Sequence, residues 1–212
     1  MDLVHQSTNL SIIIQALSGI YTARVLGKTE PKLLVQSVKL EGLVTLIQFI
    51  FYTVFIRNHA IDTMSITRYY DWMLTTPLML TSMSAYFLYK RGEEGTLYDV
   101  IVKYKKQFIK IVSFNLLMLV AGYLGEIGCI PKELALVLGT FAFVMTFSVI
   151  YKEMGGAGKG IFNLVTTVWG LYGVAYMLPS VQKNLLYTGL DLVSKNLFAV
   201  LLTNEVLAKN VV

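Results

Sequence analysis

The chain has 212 residues, 55% of them hydrophobic and only 15% charged, with a formal net charge of +5. Soluble domains carry about a quarter charged residues, so this composition excludes a water-soluble fold and predicts an all-α membrane protein. The single cysteine, Cys129, excludes an intramolecular disulfide framework. His5 and His59, far apart and without a cysteine pair, give no zinc site, and "GGAGKG" lacks the preceding strand and spacing of a phosphate loop.

A membrane-crossing helix needs roughly 20 mostly apolar residues. Seven such runs follow one another, at about 8–26, 33–56, 66–89, 105–125, 131–152, 161–180 and 185–208. Breakers separate them: "GKTEPK", "RNHAID", "KRGEEG", "GEIGCIPKE", "KEMGGAGKG" and "PSVQKN". Every link is short, so consecutive helices are expected to be antiparallel neighbours in one seven-helix domain covering 1–212. The opening "MDLVHQSTN" has an acid where a secretory signal would be basic. Within the longest link, "YDVIVKYKKQFIKI" reads as an amphipathic entry to the fourth span.

Basic residues set a direction. With the N-terminus outside, the cytoplasmic ends receive Arg24, Lys28, Lys32, Lys90, Arg91, Lys103, Lys105, Lys106, Lys110, Lys152, Lys159 and Lys209. The outer ends keep Arg57, Lys132 and Lys183, so twelve stand against three. The C-terminus is then cytoplasmic, the positive charge is a topology signal, and no nucleic-acid partner is needed. The expectation is a multi-pass integral protein, of the plasma membrane by default, with the bilayer as its first partner.

A few ionisable residues remain inside the spans: Lys39 and Glu41 in the second, Arg68 and Asp71 in the third, Asp191 and Lys195 in the seventh. Glu205 lies near enough to the cytoplasmic end to reach water. Charged groups at membrane depth cost roughly 2.5–3.5 kcal/mol each on insertion scales, which points either to function or to a packing network of ion pairs. Asp191 and Lys195 are i,i+4 and share a face, as do Arg68, Asp71 and Thr75. If both faces point inward, two carboxylates and an arginine surround one lysine amine. A neutral lysine amine is a nucleophile able to form a Schiff base with an aldehyde, and the carboxylates would balance the resulting cation.

These residues resemble the microbial rhodopsins, seven-helix proteins that carry retinal on a lysine of the last helix. "RYYDWMLTTPLML" is similar to the third-helix motif of bacteriorhodopsin-like proteins, and "LDLVSKN" to the pattern of the seventh. "WGLYGVAY" supplies Trp169, Tyr172 and Tyr176 at the aromatic positions of the sixth helix, with Gly173 where the family usually has proline. Asn115, Met118 and Gly122 in the fourth span and Met145 in the fifth are similar to pocket positions. The short loops look like those of viral rhodopsins. The resemblance implies all-trans retinal as a Schiff base on Lys195. It further implies Asp71 as counterion and proton acceptor, Asp191 as second carboxylate, and Arg68 one turn outward. Thr75 would hydrogen-bond Asp71; Trp72, Trp169 and Tyr172 would sandwich the chromophore, with Thr76 and Tyr176 completing its pocket. Met79 and Leu80 read as packing. Trimeric or pentameric assembly is common among proteins of this kind.

Ion translocation is expected, not enzymatic turnover. A dedicated outward proton pump of this family has a carboxylate eleven residues after the acceptor; here that position is Ser82, about 16 Å along the helix. The sixth span also lacks the carboxylates of a release pair. Glu41, the first-span serines Ser11 and Ser18, and Asn196 beside Lys195 instead resemble a channelrhodopsin gate, and Gln15, Gln36 and Gln48 add polar groups along a passage. On this pattern a light-gated cation channel is favoured over a light-driven outward proton pump. A photosensor comes third, since no transducer domain is present. Glu41 has three other readings: a partner for Lys39, a substitute for the missing pump donor, or a snorkelling interfacial residue.

Overall fold

The computed structural model describes residues 3–154 and 158–209. Residues 155–157 of the glycine-rich link lie outside the described residues. Among the described residues there is no strand, and the long helices form seven rods. These are α1 (Leu3–Ala23), α2 (Lys32–Val54), α3 (Ile61–Lys90), α5 (Lys105–Glu126), α6 (Lys132–Val149), α7 (Lys159–Tyr176), and α8 (Ser180–Asp191) continued through a π-helical turn, Leu192–Leu197, into α9 (Phe198–Lys209). A second π-helical turn, Ile150–Met154, prolongs α6.

The short helix α4 (Leu97–Lys103) is separate from the rod that follows it. Thr96 and Asp99 explain its start: the Thr96 hydroxyl accepts from the Asp99 amide at 3.2 Å, and the Asp99 carboxylate accepts from the Thr96 amide at 2.8 Å. The expected amphipathic entry is therefore two helices with a break at Tyr104. Nearby, hydrogen bonds from Lys103 (2.7 Å) and Tyr104 hold the Glu93 carboxyl below its usual range.

The rods are amphipathic in reverse. Along α1 the buried residues are Val4, Thr8, Ser11, Gln15, Ser18 and Thr22, while Leu10, Ile13, Leu17 and Ile20 are exposed. The spacing of three and four is that of one helix face, but the inner face is polar and the outer one apolar. A hydrocarbon surrounding accounts for this, because lipid solvates leucine and leaves hydroxyls and amides to find partners within the bundle. Four rods are long and apolar enough to cross a membrane on their own: Lys32–Asn58, Lys105–Glu126, Lys132–Lys152 and Ser180–Lys209.

Consecutive rods pack as neighbours, and α8 and α9 return against α1 and α2 to close the ring. At the end nearer Arg68, Lys183 on α8 and Glu126 on α5 meet at 2.6 Å with side chains 4% and 6% exposed. Ser65 of α3 donates to the same carboxylate at 3.2 Å, so three rods converge on one buried ion pair. Removing one partner of such a pair leaves an uncompensated charge, a loss of about 3–5 kcal/mol. Lys183→Met should lower the unfolding free energy in detergent by that order. Adding Glu126→Gln should recover most of it, and a double variant no better than the single would contradict the pair's contribution.

Candidate functional site

The centre of the bundle is built from two helix faces. On α3, Arg68, Asp71 and Thr75 recur at intervals of three and four, all buried. On α8 and its π-helical turn, Asn184, Thr188, Asp191 and Lys195 do the same. The extra residue of a π-turn rotates the chain beyond it, a device common at functional sites; here it carries Ser194, Lys195 and Asn196.

Lys195 Nζ lies 2.6 Å from Asp71 Oδ2 and 3.7 Å from Asp191 Oδ1, with all three side chains at most 1% exposed. Arg68 Nη1 meets Asp191 Oδ2 at 3.2 Å. Two cations and two carboxylates thus close a charge-balanced quartet, as burial at this depth demands. The carboxylates are held unequally. Asp191 accepts from Arg68, Trp72 Nε1 (3.1 Å), the Tyr172 hydroxyl (2.7 Å) and the Tyr52 hydroxyl. Asp71 accepts from Lys195 through one oxygen, and its Oδ1 has no protein partner.

The expected hydrogen bond between Thr75 and Asp71 forms. Thr75 donates to the backbone carbonyl of Asp71 at 2.9 Å, not to its carboxylate, because a helical threonine reaches the i−4 carbonyl most easily. Arg68 engages Asp191, Asn184 (3.2 Å), Thr188 (2.8 Å) and Tyr52, and makes no bond to Asp71.

Beside the quartet lies a largely apolar cavity of about 260 Å³. Lys195, Trp72, Thr76, Met118, Gly122, Trp169, Tyr172 and Tyr176, all expected from the sequence, line it. Met79, read as packing, lines it too; Met145 and Asn115 do not, and Asn115 instead donates to Thr76 at 2.7 Å. Trp72 stands edge-on to Tyr172 and Tyr187, with ring centroids 5.4 and 4.9 Å away. A Cβ on Gly122 would approach the Tyr69 hydroxyl to 2.5 Å, so that aromatic wall requires a glycine.

Glu41 and Asn196 sit outside this cavity. Glu41 is fully buried and accepts from Ser82, while Lys39 is exposed and donates to the Lys28 carbonyl at 3.3 Å, so the Lys39–Glu41 pairing does not form. Asn196 Nδ2 donates to Ser18 at 2.7 Å. Gln36, expected along a passage, is engaged by the Leu97 amide of α4. Glu205 accepts from Tyr86 (3.0 Å) and Lys90 (2.9 Å) near the end of the bundle.

Sequence reasoning missed Tyr52, which bridges Arg68 and Asp191, along with Asn184, Thr188 and Tyr187. Asn184 and Thr188 were readable: they continue, at intervals of four and three, the face that already carries Asp191 and Lys195. Tyr52 gave no such signal, since its polar role arises only from a contact across three rods.

An apolar cavity walled by aromatics, ending at one lysine amine with two carboxylates beside it, fits an apolar aldehyde held as an imine. That arrangement in a seven-rod bundle is the chromophore site of a microbial rhodopsin. A family model described as "Bacteriorhodopsin-like protein" matches residues 3–208, and the chain belongs to that family. It is 28% identical over 194 residues to the green-light absorbing proteorhodopsin of Gamma-proteobacterium EBAC31A08, covering 79% of this chain and 72% of that one. The crystal structure of viral rhodopsin OLPVRII matches with a TM-score of 0.86 and 25% identity over all of both chains. A light-driven proton pump from Leptosphaeria maculans shares the fold, with a TM-score of 0.73 and 15% identity over 100% of this chain and 98% of that one.

The protein is accordingly a multi-pass integral membrane protein that binds retinal through a Schiff base on Lys195. Lys195→Ala should abolish visible absorption, and borohydride trapping should add the mass of one retinyl group to the unsubstituted chain only. A coloured alanine variant would contradict the linkage.

Proposed function

We propose that the protein moves protons outward across the membrane in response to light. The observation that carries this reading is the pairing of Glu41 with Ser82 on the far side of Lys195 from Arg68. Ser82 holds the position where a pump of this family has its donor carboxylate, and α2 brings a carboxyl group to that place from another rod. The relatives point the same way, since solved structures sharing the fold include a light-driven proton pump and a proton pumping rhodopsin.

When bound, retinal supplies the light-driven change of shape and a protonated nitrogen at Lys195. The chain's own groups then divide the labour. Asp71, with one oxygen at 2.6 Å from the lysine nitrogen and the other unpartnered, is placed to balance the cation and accept a proton at Oδ2. Asp191, held by four donors, remains the fixed negative charge. Arg68, with its bonds to Asn184 and Thr188, stabilises that charge and lies on the outward path. Glu41 returns a proton from the opposite side. The twelve basic residues at the Glu205 end support a cytoplasmic placement of that end, and hence an N-terminus outside. A trimer or pentamer belongs to the proposal on resemblance alone.

A light-gated cation pore is the second reading, and one observation favours it. Gln15 Oε1, Thr45 Oγ1, both amide atoms of Gln48, Glu41 Oε2 and Asn196 Oδ1 are buried without protein partners. They belong to α1, α2 and the π-helical turn. Thr45 approaches Gly19, and Thr22 approaches Gly42, each with a methyl 3.5 Å from the position of a glycine Cβ, so α1 and α2 face one another along this stretch. Buried polar atoms are satisfied by protein or by water, and a continuous chain of waters there would admit cations.

Three measurements test these readings. Under voltage clamp a pump gives photocurrent that stays outward against the proton gradient, whereas a pore gives current that reverses with the cation gradient. Glu41→Gln should slow steady proton translocation by about 10²–10⁴-fold, the usual contribution of a positioned proton-transfer group, with Glu41→Asp retaining most of it; unchanged turnover in Glu41→Gln would remove Glu41 from the path. Asp71→Asn should shift the visible band to longer wavelength and stop translocation, and an unshifted band would assign the counterion elsewhere.

A further inference from the structure

Retinal is apolar and dissolves in the bilayer, yet it must reach an amine that is 1% exposed. Along the bundle axis both approaches are filled. Arg68, Tyr52 and Asp191 close one side. On the other, Leu80, Met83, Tyr86 and Phe87 pack into the largest apolar cluster. The cavity at Lys195 extends sideways instead, between α6 and α7, as far as Thr140, an exposed residue among the lipid-facing Val137, Phe141 and Val144.

Three glycines line that sideways extension: Gly139 on α6, Gly170 and Gly173 on α7. A Cβ on each would find its nearest neighbour at 3.8, 3.8 and 3.6 Å, which is ordinary contact. Gly122 and Gly125 differ, because a Cβ there would collide with the Tyr69 and Tyr176 hydroxyls. Packing therefore demands glycine at those two positions and not at the three along the opening, although glycine within a helix is less stable than alanine. Trp169 lines the same cavity at 8% exposure, with its Nε1–H unpartnered. Deeper in, Phe147 and Trp169 close the seam between the two rods with ring centroids 5.6 Å apart, so the gap is confined to the stretch level with the glycines.

We propose that this gap between α6 and α7 is a lateral portal through which retinal passes from the bilayer to Lys195. The proposal rests on retinal binding at Lys195, and its test separates the two. Protein produced without retinal is placed in lipid nanodiscs, all-trans retinal is added, and growth of the visible band is followed in time. Gly139→Leu should slow that growth at least tenfold. Gly160→Leu, an exposed position with open space around it, should colour at the unsubstituted rate.

A second form avoids any effect on folding. With the exposed Cys129 replaced (Cys129→Ser), Thr140→Cys is labelled after purification with a bulky, membrane-permeable maleimide. Labelling before retinal addition should block or slow colour formation at least tenfold, and labelling afterwards should leave the pigment intact. Labelled protein that colours at the unlabelled rate overturns the portal, even if Gly139→Leu fails to fold. An unsubstituted chain that never colours overturns retinal binding itself.

Discussion

The structure depends on taking two positive and two negative side chains out of water together. Neither Lys195 nor Arg68 could be placed at the centre of the bundle alone, because an isolated buried charge is penalised by several kcal/mol even after relaxation. Asp71 and Asp191 remove most of that penalty, and the four groups then hold α3 and α8 in one register. Neutral groups saturate Arg68 and Asp191: Thr188 and Tyr52 accept from Arg68, while Trp72, Tyr172 and Tyr52 donate to Asp191. Asp71 is left with a free oxygen. The asymmetry separates a rigid half of the quartet from a responsive half. One carboxylate is held by four donors, and the other by a single partner, the lysine nitrogen.

The same economy of polar groups governs the rest of the bundle. With lipid outside, hydroxyls and amides turn inward, and the buried face of α1 is composed almost wholly of them. Those that find protein partners fix helix positions, as Asn196 does on Ser18 and Asn115 on Thr76. Others, such as both amide atoms of Gln48, are buried without a protein partner. A protein that must conduct protons or ions needs such incompletely satisfied sites, since a fully paired interior offers nothing for a moving charge to bind.

How much of this was legible in the sequence follows from the distance over which each feature is determined. Composition and seven apolar runs read the membrane and the helical class. The intervals of three and four along α3 and α8 read the quartet, because residues on one helix face need no tertiary knowledge to be grouped. Where the reading failed, a contact between rods decided the outcome. Lys39 and Glu41 were close in sequence yet point to opposite environments, one exposed and one buried. Tyr52 carried no signal at all, since only the meeting of α2, α3 and α8 makes it polar in function.

Ser82 shows why a motif and its chemistry can part company. A search along the third helix finds a serine where a carboxylate is wanted, and on that ground the sequence favoured a pore over a pump. Proton transfer, however, is indifferent to which helix carries the acid; it responds only to where the acid stands and how dry its surroundings are. Glu41 reaches the same place from α2, fully buried, with Ser82 as its hydrogen-bond partner. The serine is, on the proposed reading, the partner that orients the acid, and the missing donor of the third helix is supplied across a helix–helix contact. On the proposed reading, what selects pumping over passive conduction is continuity of water between this carboxyl group and the unpartnered amides of α1 and α2. A dry break beside Glu41 lets it hand over one proton at a time, and a continuous file of water past it would let ions run down their gradient.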